Sequence, residues 1–565
     1  MLVTSQSYIS QWSILVMNKC KILLSSLCLF LGINTSLAGN RTEREMLAIA
    51  QTHLAKRGTR SSTQTIQKLA EERYYCVYGN DKQGFVVVSH DDLFAPILGY
   101  SDSHFDVNSL PCGMSWWLGA ISEQMESRIQ ELSPVTQSTE FVVVPHLCKT
   151  KWNQGDPYNF YTPVINGKHT PTGCVATAMS QIMKYFAYPA QGKGKGYYTL
   201  ESNPSSRVTE AISGVYEWEK MLDEYDAIGL TDEVRIPVAR LMKDAGLATN
   251  MAYGSNGSGA YSVLAARGFC YNFSFDSLAL RCFYREYFNQ EMWMNTIYKE
   301  LAEGRPILYT GVSASGGHAF VFDGVDEEGR IHVNWGWGGS GDGYFDFSDL
   351  NPIGSNDHYN SQQSMVFGFK CQDTPDEDET YKSLWCTSSG KSYNLSIEGK
   401  ILKISSPPVY NYHFLWFYGQ FGAFFKNLDG DSSKDTFIKI GQEKNDIPTF
   451  RGSDDLNNSI FFNKVKPGKY QLFLASKAKN EKECQPVRCA NGAPYYELTI
   501  GEDGTTSMSE VKYFDDNSVF TGIHSTDAAS PLTNKIYNLK GQQIKGSLES
   551  LYKGVYIING KKVTR

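Results

Sequence analysis

No two of the twelve cysteines stand in a CxxC pair, Lys and Arg do not outnumber Asp and Glu, and no apolar run is long enough to cross a bilayer. Each absence closes a class of function. Without paired CxxC spacing, no zinc module is written into the chain, and no metal or other cofactor is expected. With Lys+Arg 53 against Asp+Glu 60 and a net charge of -7, the chain lacks the basic field that a phosphate backbone requires, so no nucleic-acid partner is expected. The apolar stretch ILLSSLCLFLGI (22–33) is too short for a spanning helix, so no stable membrane span is expected. Disorder is poorly supported too, because 34 Tyr and 30 Phe in a 41% hydrophobic chain can bury a core. At roughly 150 residues per domain the length corresponds to about three to four domains.

The short apolar run has a different use. Lys19 and Lys21 precede it and Ser36-Leu37-Ala38 follows, the order of a basic region, an apolar region and a small-x-small cleavage site. Residues 1–38 therefore read as a signal peptide, with Met17 as an alternative start. Cys20 and Cys28 leave with it. The remaining cysteines are scattered. Cys484 and Cys489 have the spacing of a small hairpin disulfide in an oxidising compartment, and that pairing stays open.

Residues 39–140 alternate between helix and strand signals. REMLAIAQTHLAKR has a helical period; YYCVYG, GFVVVSH and ILGYS are strand-like; MSWWLGAISEQMESRIQEL is long and amphipathic. The polar stretch SPVTQSTE (133–140) has no apolar period and reads as an exposed, cleavable linker. Residues 141–370 hold the chemistry, and DTPDEDET (373–380) is an acidic linker beyond them. Short alternating runs over 381–510 suggest a β-sandwich. Within it, NLDGDSSKD (427–435) resembles the start of a calcium loop, but Lys434 replaces the glycine and the twelfth position is not Glu, so it reads as a solvated turn. A last β-rich segment spans 520–565.

In PTGCVATAMSQIMKYF (171–186), Pro171 and Gly173 break regular structure before Val175, Met179, Ile182, Met183 and Phe186 recur at helical spacing. Cys174 thus opens a helix. Unpaired N–H groups and the macrodipole at a helix start favour a thiolate, the species that attacks acyl carbon, so this thiol is expected to ionise more easily than a free cysteine. His318 follows a Gly-rich loop, Ser315-Gly316-Gly317, and opens a strand that turns near 326–329 into RIHVNWGW. Such a hairpin is expected to bring His318 near Asn334 and Trp335, giving a Cys-His-Asn arrangement in which imidazole serves as base and then acid. His332 lies on the same hairpin, without the glycine approach, and is the alternative imidazole. Gln154, in KWNQGDPYN (151–159), offers a side-chain amide to pair with the Cys174 N–H in an oxyanion hole.

KWNQGDPYN, TGCVATAMSQIMKYF, GGHAFVFDGV and HVNWGWGGSGDGYF, in that order over 150–352, resemble the streptopain family of secreted bacterial cysteine peptidases. The resemblance implies an α+β, papain-like fold with Cys174 as nucleophile, His318 as general base and acid, Gln154 as oxyanion donor, and Asn334 or Trp335 orienting the imidazole. MAYGSNGSGAYS (251–262) is similar to a groove-lining element, which implies substrate contacts at Gly257, Ser258 and Gly259, and Gly317 is a further substrate-binding candidate. GFVVVSHDDLFAPILGYSDSHFDV is similar to the prosegments of such zymogens, so residues 39–140 are expected to inhibit the enzyme in cis. KGVYIINGKKVTR (553–565) resembles sorting domains of the type IX secretion route of Bacteroidetes, which implies a secretion-machinery partner. The function implied is an endopeptidase acting on proteins and peptides, secreted or at the bacterial surface, with an apolar preference two residues before the cut. Two rivals are kept: a surface adhesin using a peptidase-like scaffold, and an acyltransferase with the same Cys-His pair.

Overall fold

The computed structural model describes residues 39–57, 65–80, 84–131, 141–225, 230–347 and 363–371, with short breaks at 278, 286–287, 289 and 314–315. It also describes 385–387, 392–411 and 417–514, broken at 449–450, 455, 480–483 and 490–492, and strands at 536–537, 543–544, 555–558 and 561–564. Residues 1–38, read above as a signal peptide, and the two stretches read as linkers, 133–140 and 373–380, lie outside the described residues.

The N-terminal unit begins with α1 (Glu43–Arg57). Thr42 caps it: the Glu45 N–H donates to Thr42 Oγ1, and the Thr42 N–H donates back to Glu45 Oε2 at 2.7 Å. Met46, Ala50 and Leu54, spaced four apart, form its buried stripe. Four antiparallel strands follow, β1 (Gln67–Glu71), β2 (Tyr75–Asn80), β3 (Gly84–Ser89) and β4 (Ile97–Ser101), then α2 (Cys112–Glu131). Every residue of β2 and β3 is buried. That fits their continuous apolar runs, because α1 covers one face and the Trp117, Ile121 and Met125 side of α2 the other.

The central unit contains a small hairpin, β5 (Val164–Ile165) and β6 (Lys168–His169), followed by α3 (Cys174–Phe186). Next come β7 (Lys195–Leu200), β8 (Asn203–Ala211) and α4 (Asp232–Ala248). After these lie β9 (Ala252–Tyr253), β10 (Ser258–Gly259), α5 (Ser262–Tyr271), β11 (Arg281–Tyr284) and α6 (Gln290–Ala302). The unit closes with β12 (Ile307–Ser313), β13 (Gly316–Val325), β14 (Ile331–Asn334), β15 (Gly343–Phe345) and β16 (Ser364–Phe367). One ten-stranded sheet runs through both units in the order β1-β2-β3-β4-β15-β14-β13-β12-β16-β11. The period of two divides β13 between two cores. Ala319 and Val321 face α3, α4 and α5, whereas Phe320 and Phe322 face α2, α6 and Trp335.

Beyond residue 380 the chain is β-rich. Strands Asn394–Glu398, Ile401–Ser405 and Asn458–Phe461 form one sheet, and Phe417–Asn427, Thr436–Ile447, Gly468–Ala478 and Pro494–Ile500 build another. Leu402 and Ile404 of the first share a core with Phe421, Phe425 and Leu472 of the second. Within the 427–435 turn Asp435 accepts from the Asn427 N–H and Asp431 from Ser433, while Asp429 accepts from the Lys469 N–H of the neighbouring strand.

The two units meet where Gly343, Tyr344 and Phe345 pair with Ser101, Tyr100 and Gly99. Glycine at 343 permits this, since a Cβ there would lie 2.1 Å from the Tyr100 carbonyl oxygen. Gly343→Ala is therefore expected to open this seam, speeding amide exchange across β4 about tenfold while leaving β12 unchanged. Equal acceleration in β12 would mean that Gly343 serves the whole sheet instead.

Candidate active site

Gly173, at φ +89, turns the chain into α3 so that Cys174 is its first residue. A side chain at 173 has no room, because a Cβ would lie 2.8 Å from the Met251 sulfur and 2.9 Å from the Ser258 carbonyl oxygen. Ser258 Oγ also donates to the Pro171 carbonyl at 2.7 Å. The 257–259 element therefore stands beside the loop that delivers the nucleophile, with open space at the Cα atoms of Gly257 and Gly259. On the other side, the Thr172 N–H donates to the Gln154 carbonyl at 3.0 Å. That bond straps the 151–159 loop to the turn two residues before Cys174.

The Cys174 thiol faces the backbone N–H groups of Ala319 and Val175. Burial raises its pKa, these donors pull it down, and the Cys112 thiol at the start of α2 adds a smaller upward push; the net shift is upward. His318, adjacent to Ala319, is held below the ordinary imidazole value by burial. Both groups are thus driven to their neutral forms, and no hydrogen bond joins them among the described residues. The expectation of an easily ionised thiol fails in this closed arrangement because desolvation outweighs the helix N-terminus.

The N-terminal unit covers the histidine strand. His318 pairs with Gly311 across β12 and β13, and paired residues project to the same face. The indole of Trp116, on α2, fills that face at Gly311, where a Cβ would lie 2.1 Å from it, and its Nε1 donates to the Val312 carbonyl at 3.1 Å. A Cβ on Gly113 would lie 2.6 Å from the Trp335 ring and 3.0 Å from Phe320.

Asn334 and Trp335 separate onto two faces. Asn334 pairs with Val321, three residues along from His318. Its Oδ1 accepts from Gln181 Nε2 at 2.9 Å and from the Gly336 N–H, and its Nδ2 donates to the Thr150 carbonyl. Trp335 packs edge-on against Phe320 at 4.7 Å, on the face that His318 shares, and its Nε1 donates to the Gly341 carbonyl. Gly317 is exposed beside the histidine.

Gln181 escaped the sequence reading. Fully buried, it joins α3 to Asn334 and accepts from Thr150 Oγ1 at 2.9 Å. The available signal was a polar residue two turns after Cys174 in an otherwise apolar stripe. His332, the alternative imidazole, pairs with Gly324, about 20 Å along β13 from His318. Its Nδ1 lies 2.6 Å from Asp323 Oδ1. Burial lowers its pKa, but Asp323 prevails and the net shift is upward. Asp323 also accepts from the Cys148 N–H, fastening residues 144–148 along β13.

Residues 152–345 match the Peptidase C10 family, and residues 36–125 match the Spi protease inhibitor family. Streptopain of Streptococcus pyogenes is 36% identical over 321 residues, covering 52% of this chain and 80% of that protein. The "Thiol protease/hemagglutinin PrtT" of Porphyromonas gingivalis is 30% identical over 403 residues, covering 64% of this chain and 46% of that protein. Among solved structures, a prointerpain A fragment of Prevotella intermedia superposes with a TM-score of 0.50 at 34% identity, covering 54% of this chain and 98% of that one.

The seam between the two matched regions is charged and aromatic. Arg57 lies 4.0 Å and Arg330 5.1 Å from the Tyr100 ring, whose hydroxyl donates to Asp326; His53 packs on the same ring at 4.4 Å. Burial, then Arg330 and Arg57, lower the His53 pKa to about 4. A histidine depressed on folding contributes stability that is complete above its unfolded value of about 6.5 and is lost as pH falls through the folded one. Acidification from pH 6.5 to 4 is thus expected to loosen the N-terminal unit. The check is melting temperature against pH for the wild type and His53→Asn, whose curves converge as pH falls; parallel curves would remove His53 from the coupling.

Proposed function

The chain belongs to the streptopain-like peptidase C10 family, a cysteine-type hydrolase with an inhibitor prosegment, and from that premise we propose that Cys174 and His318 are its catalytic pair. The observation that carries this is the convergence of the Ala319 and Val175 N–H groups on the Cys174 sulfur at a helix start, with His318 adjacent on the strand. Gln154, strapped to the same turn, supplies the side-chain amide of the oxyanion hole beside the Cys174 N–H. Trp335 shields the imidazole, and Asn334 positions the strand through Gln181.

In the open enzyme His318 takes the thiol proton. The thiolate attacks the scissile carbonyl, and the oxyanion draws on the Cys174 and Gln154 donors. The C–N bond breaks as His318 protonates the leaving amine, giving a thioester. Water, deprotonated by His318, then releases the carboxylic acid and regenerates the thiol. The peptide backbone enters past Gly257, Ser258, Gly259 and Gly317.

The domain reading is a signal peptide over 1–38, a prosegment over 39–140, a peptidase over 141–370, a β-domain over 381–510 and a sorting segment over 520–565. Export of the zymogen, with the C-terminal segment addressed to a secretion apparatus, accords with the basic-apolar-small pattern of the first residues. No helix among the described residues is long and apolar enough to cross a membrane. Latency has a physical basis in α2, because Trp116 occupies the face onto which His318 projects.

After prosegment removal, Cys174→Ala and His318→Ala are expected to abolish casein hydrolysis and labelling by an epoxide thiol reagent. Gln154→Ala is expected to lower kcat by about a hundredfold to a thousandfold. Hydrolysis retained by Cys174→Ala, or label elsewhere than Cys174, would reject the assignment.

A further inference from the structure

The prosegment carries a side-chain cluster that peptide hydrolysis does not use. Glu71, Cys76 and His90 bring a carboxylate oxygen, a thiol sulfur and an imidazole nitrogen within 4.8 Å of one another. The ladder between β1 and β2 shifts register between Lys68 and Ala70, which puts Glu71 opposite Cys76. Without that bulge Glu71 would oppose Tyr75 and project to the other face. Cys76 pairs with Val88 across β2 and β3, and His90, two residues further, returns to the same face.

The histidine is oriented for a ligand. Its Nε2 lies 3.2 Å from Cys76 Sγ, and its Nδ1 lies 3.1 Å from the Arg73 carbonyl, which can only accept. That carbonyl assigns the ring proton to Nδ1 and leaves the Nε2 lone pair directed at the sulfur. Metal-bound histidines adopt this tautomer, with the outer nitrogen fixed by a carbonyl or carboxylate. Cys76 is fully buried against Met46, Ala50 and Leu54 of α1, so one wall is dry, while Glu71 is exposed and leaves a way in. Lys68 lies 2.8 Å from Glu71 and 2.7 Å from Glu43, so Glu71 is able to turn inward while Lys68 keeps a partner.

We propose that Glu71, Cys76 and His90 form a binding site for a thiophilic divalent cation of the zinc class, with water in the fourth tetrahedral position. Thiolate and imidazole together disfavour magnesium and calcium. On binding, the Cys76 thiol proton passes to solvent, and thiolate, neutral imidazole and carboxylate donate to the ion. The ion joins the edge strand β1 to the β2–β3 hairpin, so the prosegment gains stability as free zinc rises.

The test uses the full chain with Cys174→Ala to prevent self-cleavage. Zinc is titrated against a chromophoric chelator, and cobalt(II) is added as a spectroscopic probe. One equivalent of zinc is expected to bind, together with a near-ultraviolet thiolate–cobalt band; both are lost in Cys76→Ser and His90→Ala. Zinc affinity in Glu71→Gln is expected to fall about tenfold. The same stoichiometry and affinity in all variants, or cobalt binding without the thiolate band, would overturn the site. Should Cys76→Ser fail to fold, Glu71→Gln decides, since it alters an exposed strand position, and unchanged zinc affinity there would overturn the three-ligand site.

Discussion

The ladder between β4 and β15 makes inhibitor and enzyme a single sheet, and the rest of the closed structure depends on it. Gly343 allows the strands to approach, and β4 then brings α2 down onto the central sheet. Trp116 and Trp117 consequently enter a core that also contains Phe320, Phe322 and Trp335. Strand pairing through backbone groups is largely indifferent to side-chain identity, whereas the tryptophans are not. The ladder sets position, and the indoles fill the space that the histidine face would otherwise expose.

The ordered motifs made the fold and the family readable in advance. Pro171, Gly173 and the apolar period place a helix start at Cys174, and the structure has it there. The hairpin from 316 to 334 is likewise present. Its register was not readable: a bulge between Phe322 and Gly324 sets Asn334 opposite Val321, so its carbonyl oxygen meets Gln181 rather than His318. Registers of this kind depend on turn geometry and on which face is buried, neither of which a motif's residue identities encode. The thiol's ionisation failed for a related reason. A helix start is a local feature, but the burial that overrides it comes from tertiary packing around Cys174, among residues far apart in sequence such as Met251 and Ala319.

The C-terminal β-domain is tied to the peptidase by a buried arginine. Arg488 lies 4.8 Å from the Phe288 ring and reaches the Met292 sulfur at the start of α6, while Ala493 joins the aromatic core. Its contacts lie on α6 and at Phe288 just before it, away from the elements that hold Cys174 and His318. The buried guanidinium thus joins the β-domain to the peptidase beyond the acidic stretch 373–380.

The twelve residues 132–143 separate the end of α2 from the segment that Asp323 and Val325 fasten to β13. While they are intact, the inhibitor is confined near its cleft at an effective concentration of the order of millimolar. A single cut leaves the fastened segment with the peptidase and turns the prosegment into a separate molecule. The hold of a severed prosegment would then depend on its dilution, because the local concentration that the covalent link supplies would be gone.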